Sequence, residues 1–363
     1  LTLSVDLSKA FDTVNRAKLL EALETAQPDP DLVNLVGKLH IDAAYRMALG
    51  EESFTVQTKR GIKQGCKLAP SLYSLLTGFI FKSMRGHLTL QELRNIITMY
   101  ADDTLAQFTF LNEDGLRKAL STCEVLLDTL SQFGFAVNPD KSSILLTVHG
   151  GSTSTVLQRY TIKTASGRQA LLPAGARIPI LKSVSYLGIT LSYANFEDQT
   201  LAKRLTASKA VFREVKSALQ CHRVIPLKER VQLWRATAWA SATYGLHVTG
   251  LTSAGAAKLH SAHMYQLRRV ARSYSHDTHE SNADLLGRLG VPPPLPEIIR
   301  RTEAFLCKHT GKNNALQDTY LDRVREVSLG LQALELTEPP PEVTPIGCES
   351  CGRVFRTMAA LKK

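Results

Sequence analysis

Residues 96–108 read Ile96-Ile97-Thr98-Met99-Tyr100-Ala101-Asp102-Asp103-Thr104-Leu105-Ala106-Gln107-Phe108, with two adjacent acids between two apolar stretches. This pattern predicts a tight turn between two strands, with Asp102 and Asp103 at its tip. Asp6 follows the apolar run at residues 1–5 and is expected at the end of another strand. Three carboxylates brought together would repel one another unless divalent cations neutralised them. Because carboxylate oxygens suit Mg²⁺, the pattern indicates phosphoryl transfer with two Mg²⁺ ions.

The alternative explanation for Asp102 and Asp103 is an ordinary exposed turn. Aspartate is favoured in turns because its side chain hydrogen-bonds to the nearby backbone. A two-residue motif is weak evidence of function by itself. The functional interpretation therefore depends on the other motifs of the chain.

The net charge of +11 is concentrated in one part of the 363-residue chain, of which 44% is hydrophobic. Residues 1–198 carry 20 basic and 19 acidic residues, residues 199–312 carry 18 and 7, and residues 313–363 carry 6 and 7. A basic segment downstream of an acidic site suggests a polyanionic substrate, most simply nucleic acid. Solubility alone would not require this segregation.

The cysteines do not form a disulfide framework, and the sequence contains no signal peptide or membrane span. We therefore expect an intracellular, reduced protein in the nucleus or cytoplasm, without a membrane partner. The chain lacks an initiator Met and opens inside a strand-like run, so we expect it to be a fragment.

Hydrophobic periodicity predicts an α+β domain at residues 1–198, followed by an all-helical region at 199–336. A Pro- and Glu-rich linker at 337–346 and a small tail at 347–363 complete the chain. In the first domain we expect helices at 14–25, 31–49, 70–84 and 113–133, and strands at 54–58, 143–148, 156–164, 178–181 and 185–191. After residue 198 we expect helices at 199–220, 226–248, 254–273, 295–310 and 315–334.

The run Asp6-Leu7-Ser8-Lys9-Ala10-Phe11-Asp12 resembles the first catalytic motif of reverse transcriptases, especially the branch of non-LTR (LINE-type) retrotransposons and group II introns. The resemblance implies that Asp6 binds both metal ions. It also implies that Phe11 rejects the ribose 2′-hydroxyl, because a flat ring against C2′ leaves no room for it. The alternative is that Phe11 is simply a core aromatic.

Two further motifs follow in the order of that family. Residues 60–72 resemble the second motif, which implies that Gln64 and Gly65 lie against the incoming nucleotide and template, with Arg60 nearby. An ordinary loop before a Pro-initiated helix would explain Pro70 but not the whole run. Residues 100–103 match the third motif, which implies metal binding by Asp102 and Asp103 and substrate contact by Tyr100.

Two segments further along the chain resemble the fourth motif and the primer grip of that family. Residues 134–142 resemble the fourth, whose lysine, here Lys141, would protonate the leaving pyrophosphate. A solvated lysine at a strand start is an equally good interpretation. Tyr186, Leu187 and Gly188 resemble the hairpin that holds the primer 3′ end.

The resemblance implies a polymerase palm, with an antiparallel sheet backed by helices, and then a helical thumb. The implied activity is RNA-directed DNA synthesis, with an RNA template, a DNA primer or target and deoxynucleotides as partners. The family also has a fingers region before the first motif, and its elements carry an endonuclease; we expect this fragment to lack both. A decayed, maturase-like nucleic-acid-binding protein is the alternative. An RNA-templated RNA polymerase is disfavoured by Phe11, and the oligomeric state is left open.

Cys348 and Cys351, followed by Phe355 and Leu361, have the spacing of the first half of a Cys2His2 zinc finger. The first histidine would fall at position 364, and structural zinc needs four ligands. We therefore expect Zn²⁺ binding only in a longer chain. His276 and His279 lack a second ligand pair, which favours a solvated turn.

Overall fold

The computed structural model describes residues 1–26, 29–40, 43–86, 88–138, 141–310, 315–336, 346–347 and 354–355. The chain divides into two compact units, Leu1–Ala194 and Asn195–Lys363. Each unit has its own hydrophobic core. None of the helices in the described ranges is both long and apolar enough to span a membrane.

The strands of the first unit form one large sheet and two separate hairpins. They are β1 (Thr2–Ser8), β2 (Ala44–Leu49), β3 (Glu52–Gln57), β4 (Ile97–Tyr100), β5 (Asp103–Gln107), β6 (Ala136–Val137), β7 (Ser143–Leu145), β8 (Thr161–Thr164), β9 (Gly167–Leu171), β10 (Arg177–Leu181), β11 (Val184–Tyr186) and β12 (Ile189–Leu191). The large sheet has the order β4-β5-β1-β7-β10-β9-β8, and β6 also pairs with β1. Its neighbours are antiparallel except β7 and β10, which are parallel. The predicted antiparallel sheet is therefore wrong at this one pair.

The helices of the first unit cover the core face of this sheet. They are α1 (Ala10–Thr13), α2 (Arg16–Ala26), α3 (Pro30–His40), α4 (Ala69–Ser83), α5 (Leu90–Ile96), α6 (Glu113–Gln132) and α7 (Thr153–Tyr160). Pro70 lies in the first turn of α4, where its missing N–H costs nothing, and Leu72, Leu76 and Ile80 form the buried face. In α6 the apolar side chains recur at helical spacing on the buried side, as expected for an amphipathic helix. The predicted helices over 70–84 and 113–133 are confirmed.

Two other predicted elements are wrong. The helix predicted for 31–49 ends at His40, and residues 44–49 form β2, which pairs with β3 in a hairpin turned at Gly50. The strand predicted for 156–164 is helical over its first half, as α7, and becomes β8 only at Thr161. In both places the short run does not fix the period, and pairing with the next strand along the chain decides where the strand lies.

The described residues of the second unit form helices and one short strand pair. The helices are α8 (Phe196–Glu214), α9 (Lys216–Gln220), α10 (Leu227–Trp234), α11 (Ala240–Thr243), α12 (Leu246–Thr249), α13 (Ser253–Ala271), α14 (Ser275–Thr278), α15 (Asn282–Leu289), α16 (Pro294–His309) and α17 (Ala315–Leu336). The strands β13 (Ile346–Gly347) and β14 (Val354–Phe355) pair with each other. Cys348 and Cys351 lie outside the described residues, so the half zinc finger stays a prediction.

A π-helical turn at Arg235–Trp239 separates α10 from α11 and brings two tryptophans into the core of this unit. Trp234 and Trp239 stack with ring centroids 5.5 Å apart. The ring of His263 packs edge-on against both, 5.2 Å from Trp234 and 4.4 Å from Trp239. His263 is fully buried, and neither ring nitrogen has a hydrogen-bond partner among the described residues. An uncharged imidazole is the form that this apolar site favours.

We expect His263 to make this unit less stable in mild acid. Burial, followed by the charges of His260 and Arg235, lowers the pKa of His263 to about 3. The unfolded chain binds a proton near pH 6.5, whereas the folded chain does not, so stability is full above that pH and falls below it. As the pH falls below 6.5, the free energy of unfolding decreases by up to about 1.4 kcal/mol per pH unit. Denaturant titrations at pH 7 and pH 5 would measure it.

His263→Met is the matched control, because it keeps a large side chain and removes the titration. The other histidines and the carboxylates contribute equally to both proteins. The stability difference between pH 7 and pH 5 should therefore be about 1–2 kcal/mol smaller in the variant. The same difference in both proteins would contradict the assignment to His263.

Candidate active site at the β4–β5 turn

Antiparallel pairing brings the acids of the first and third motifs to one end of the sheet. Asp6 in β1 lies directly opposite Asp103, the first residue of β5. Val5 and Leu7 point into the core, so the alternation of β1 places Asp6 on the opposite face. The backbone N–H of Leu7 donates to the carbonyl of Asp102 at 3.2 Å, which ties the turn to β1.

The charges at this end of the sheet are unevenly compensated. Burial, and then the negative charges of Asp102 and Asp6, raise the pKa of Asp103. One cation lies nearby: the Lys141 ammonium is 3.9 Å from Oδ2 of Asp6, and its side chain is 68% exposed. An ion pair this exposed contributes little to stability. The site therefore has an excess of negative charge that a further cation would relieve.

Three carboxylates form a set of hard oxygen donors, and this chemistry fits Mg²⁺. Burial is the larger cause of the raised pKa of Asp103, and repulsion from Asp102 and Asp6 adds to it; a divalent cation would relieve this repulsion. Within the described ranges, the side chains of His, Cys, Asp and Glu form no group of three or more that is already arranged to hold a metal ion. The donor set fits the ion, and metal binding by Asp6, Asp102 and Asp103 stays a prediction.

The backbone of Asp6 is held by the segment that carries the fourth motif. The N–H of Asp6 donates to Oγ of Ser142 at 3.2 Å. The N–H of Asn138 donates to the carbonyl of Asp6 at 2.8 Å, and the N–H of Ser142 donates to the carbonyl of Asn138 at 2.9 Å. These bonds place Lys141 beside the Asp6 carboxylate. Both interpretations of Lys141 remain compatible with its exposed position.

Phe11 is half-buried and stacks on a tyrosine from α4. Its ring centroid is 4.5 Å from that of Tyr73, with 24° between the planes. Tyr73 also contacts Phe135 edge-on at 6.0 Å. One side of Phe11 is thus supported by the core, while part of the ring remains accessible. This position is compatible with both interpretations of Phe11.

Tyr73 is a residue that sequence reasoning missed. Its hydroxyl donates to the carbonyl of Ala101 at 2.6 Å, and Ala101 is the first turn residue, with φ of +53°. Burial and the charge of Asp102 raise the pKa of Tyr73, which keeps the hydroxyl protonated as a donor. The available signal was a hydroxyl on the otherwise apolar buried face of α4.

The loop of the second motif is largely exposed beside α1. Arg60, Gln64 and Gly65 are all exposed. Nε2 of Gln64 donates to Oδ1 of Asp12 at 3.1 Å, which links the first and second motifs. Gly65 has a φ of +80°, and a side chain there would meet no atom within 4 Å, so its backbone is open to a ligand. The predicted substrate contacts of this loop are untested.

Position 61 in the same loop accepts no residue other than glycine. A Cβ there would lie 2.6 Å from the carbonyl oxygen of Asp12, and the φ is +90°. The N–H of Gly61 donates to the carbonyl of Val14 at 2.8 Å. This close approach fixes the loop against the first motif.

Tyr100 and the β11–β12 hairpin complete the surroundings of Asp103. Tyr100 pairs with Asp103 across the β4–β5 hairpin and is 64% exposed. Leu187 and Gly188 form the turn of β11–β12, with φ values of +45° and +81°. Burial and then the charge of Asp103 raise the pKa of Tyr186, which ends β11. The single strand predicted for 185–191 is wrong, because the turn at Leu187 and Gly188 divides it into the hairpin that the primer-grip resemblance implied. The role of this hairpin in holding a primer stays a prediction.

The family model described as "Reverse transcriptase (RNA-dependent DNA polymerase)" matches residues 1–191 of this chain. The matched residues contain the carboxylates, the Gln64 loop and the β11–β12 hairpin.

Curated relatives at the sequence level carry the name "Retrovirus-related Pol polyprotein from type-1 retrotransposable element R2". One, from Bradysia coprophila, is 24% identical over 189 residues, which are 51% of this chain and 20% of the relative. Another, from Popillia japonica, is 24% identical over 258 residues, 69% of this chain and 33% of the relative. The chain thus spans a fifth to a third of the length of these relatives.

Among solved structures, the structure of apo telomerase from Candida tropicalis can be superimposed on this chain. The overlap covers 89% of this chain and 53% of that one, with 10% sequence identity and a TM-score of 0.38.

Proposed function

The chain belongs to the reverse transcriptase family, and from this premise we propose that it is the polymerase part of a retrotransposon protein. It would extend a DNA primer by copying an RNA template. The observation that carries the proposal is the register of β1 and β5, which sets Asp6 opposite Asp103 and next to the Asp102 turn.

Asp6, Asp102 and Asp103 would hold two Mg²⁺ ions at this end of the sheet. When bound, such ions activate a primer 3′-hydroxyl and stabilise the charge that develops on the α-phosphate. The protein's part is to hold the carboxylates in place through the β1–β5 register and the hydrogen bonds to the backbone of Asp6. Lys141, beside Asp6, is the candidate general acid for the leaving pyrophosphate.

The residues around the carboxylates would bind the nucleotide and the primer. Phe11 would select deoxyribose, and Gln64 and Gly65 would contact the incoming nucleotide and the template. The β11–β12 hairpin would hold the primer end near Asp103. Two observations support this role: the turn residue Leu187 is exposed, and the charge of Asp103 acts on Tyr186.

The second unit would hold the template–primer duplex by its phosphates. Lys209, Arg213 and Lys216 are exposed on α8 and α9. Their spacing of four and three residues places them on one side of these consecutive helices. Basic side chains in such a row are suited to phosphate contacts that do not depend on sequence.

Primer extension tests this proposal. The natural protein that contains these residues would be incubated with an RNA template, a labelled DNA primer, deoxynucleotides and Mg²⁺. We expect template-dependent extension that stops when a chelator removes the metal and resumes when Mg²⁺ is restored. Extension that continues without divalent ions, or no extension by the natural protein, would contradict the proposal.

A further inference from the structure

Helix α13 in the second unit presents a basic and aromatic face to solvent. Lys258, Tyr265 and Arg272 are exposed, and Arg269 is half-buried. The helix, Ser253–Ala271, contains no Asp or Glu. The opposite face is buried in the core and is made of Leu259, His263, Gln266, Leu267 and Val270. The charged side chains on the outward face are therefore all positive, and the same helix has no acidic residue.

The exposed residues form one continuous row. Positions 258, 261, 265, 269 and 272 are separated by three or four residues, which places them on the same side of a helix. Arg272 is the C-cap residue at the end of this row, and its Nη1 lies 2.6 Å from Nδ1 of His222. Arg223, next to His222, is also exposed. The positive surface thus continues beyond the helix.

The neighbouring arginines 268 and 269 have different surroundings. Arg268 donates to the carbonyls of Ser273 and Glu280 and to Oδ1 of Asn282, so it holds the following loop. The guanidinium of Arg269 instead lies over the ring of Tyr265, 5.1 Å from its centroid. Nε of Arg269 has no hydrogen-bond partner among the described residues. Nε is buried, whereas Nη1 donates to the Tyr265 hydroxyl, so Arg269 holds the exposed Tyr265 side chain by both its ring and its hydroxyl.

We propose that the outward face of α13 binds a single-stranded polynucleotide. Tyr265 would stack on a base, and Lys258, Arg269 and Arg272 would contact the phosphates on either side. Charge complementarity favours a polyanion. The Tyr265 ring, 58% exposed, favours a single strand, because the bases of a duplex already stack on one another and do not offer their faces.

This inference rests on the proposed function, which supplies the polynucleotide substrate. It adds that the second unit binds part of this substrate as a single strand. The α8–α9 row, proposed above to contact duplex phosphates, differs in one respect. Residues 206–216 contain one aromatic, Phe212, and it is buried. The two surfaces are therefore suited to different parts of the same nucleic acid.

Fluorescence anisotropy of the full chain tests the proposal without nucleotides or Mg²⁺. The probes are a labelled 20-residue oligouridylate, the corresponding oligothymidylate, and a blunt RNA duplex of 20 base pairs. We expect Tyr265→Ala to weaken binding of both single strands by roughly fivefold or more, as for the loss of one stacked base. Duplex binding should change by less than about twofold, because the backbone contacts of α8–α9 remain.

Tyr265→Phe and Tyr244→Ala serve as controls for the aromatic contact, and Lys308→Gln is the control for the arginine contacts. Tyr265→Phe keeps the ring and should bind like the wild type. Tyr244→Ala removes another exposed tyrosine of this unit, which also lies under an arginine, Arg204, at 5.0 Å. It should leave single-strand binding unchanged. Arg269→Gln combined with Arg272→Gln should lower the slope of log affinity against log salt by about 1.4, whereas Lys308→Gln on α16 should not.

Equal losses for single strand and duplex would overturn the proposal, as would equal losses from Tyr265→Ala and Tyr244→Ala. A 20-residue polyglutamate that binds as tightly as the oligouridylate would assign this face to an acidic protein instead. The binding assay involves no catalysis, so its result is separate from that of primer extension. A protein that fails to extend primers but loses single-strand binding in Tyr265→Ala would refute only the proposed function.

Discussion

Asp102→Ala is expected to lower primer extension on an RNA template by about a thousandfold or more. The change removes one of the three carboxylates that would hold the metal ions at the end of the sheet. A thousandfold loss corresponds to ~4 kcal/mol of transition-state stabilisation, which is the scale expected when one preorganised electrostatic group is lost from an active site. Single-nucleotide incorporation with saturating deoxynucleotide would measure the loss as a change in kcat.

The fold should survive this substitution. Asp102 is exposed in the turn, and its contact with β1 uses the backbone carbonyl rather than the side chain. Asp114→Asn is the matched control, because Asp114 is an exposed acid that forms an ion pair with Arg117 on the surface of α6. It should retain wild-type extension. Full activity in Asp102→Ala, or an equal loss in Asp114→Asn, would remove Asp102 from the metal site.

The parts of the fold that the sequence predicts correctly are those fixed by local signals. The acidic turn between two apolar runs gives the β4–β5 hairpin, and Gly134, with φ of +89°, follows the end of α6. Pro70 marks the first turn of α4. In each case, a residue type with a restricted or permissive backbone marks the boundary of an element.

The errors occur where the pairing of strands, rather than burial, decides the structure. Residues 44–49 form a strand only because they pair with residues 52–57, and every position of this hairpin is exposed, so burial gives no period to detect. The parallel pairing of β7 with β10 joins segments about 35 residues apart and likewise leaves no local sign. Hydrophobic periodicity reports burial, and it cannot report which strands pair.

The same distinction applies to the candidate site. The motifs selected the three acids as candidates, whereas the contacts that hold them were not predicted, even though Ser142 belongs to the fourth motif. Tyr73 reaches the turn from α4, and Ser142 receives the N–H of Asp6. These contacts depend on how helices and strands pack, so they could be identified only from the folded chain. The roles of the acids in catalysis remain predictions that the Asp102 experiment tests.

Phe11→Ala is expected to reduce discrimination against ribonucleotides by roughly 10- to 200-fold, the range associated with one small group in a shaped pocket. If the accessible part of the ring lies against C2′, its removal opens space for a 2′-hydroxyl. Ribonucleotide incorporation should then rise relative to deoxynucleotide incorporation. The measurement is the ratio of kcat/KM for a matched pair of nucleotides on one template.

The two interpretations of Phe11 make different predictions for this ratio. If Phe11 is only a core aromatic, losing its stacking on Tyr73 should reduce the use of both nucleotides to the same extent and lower the melting temperature. If it is a steric gate, the ratio itself should change. Phe11→Tyr keeps the ring and should preserve discrimination within about threefold, since the ring edge still occupies the same space. An unchanged ratio in Phe11→Ala would assign the residue to the core and reopen the RNA polymerase alternative, because the argument against that activity rests on this ring.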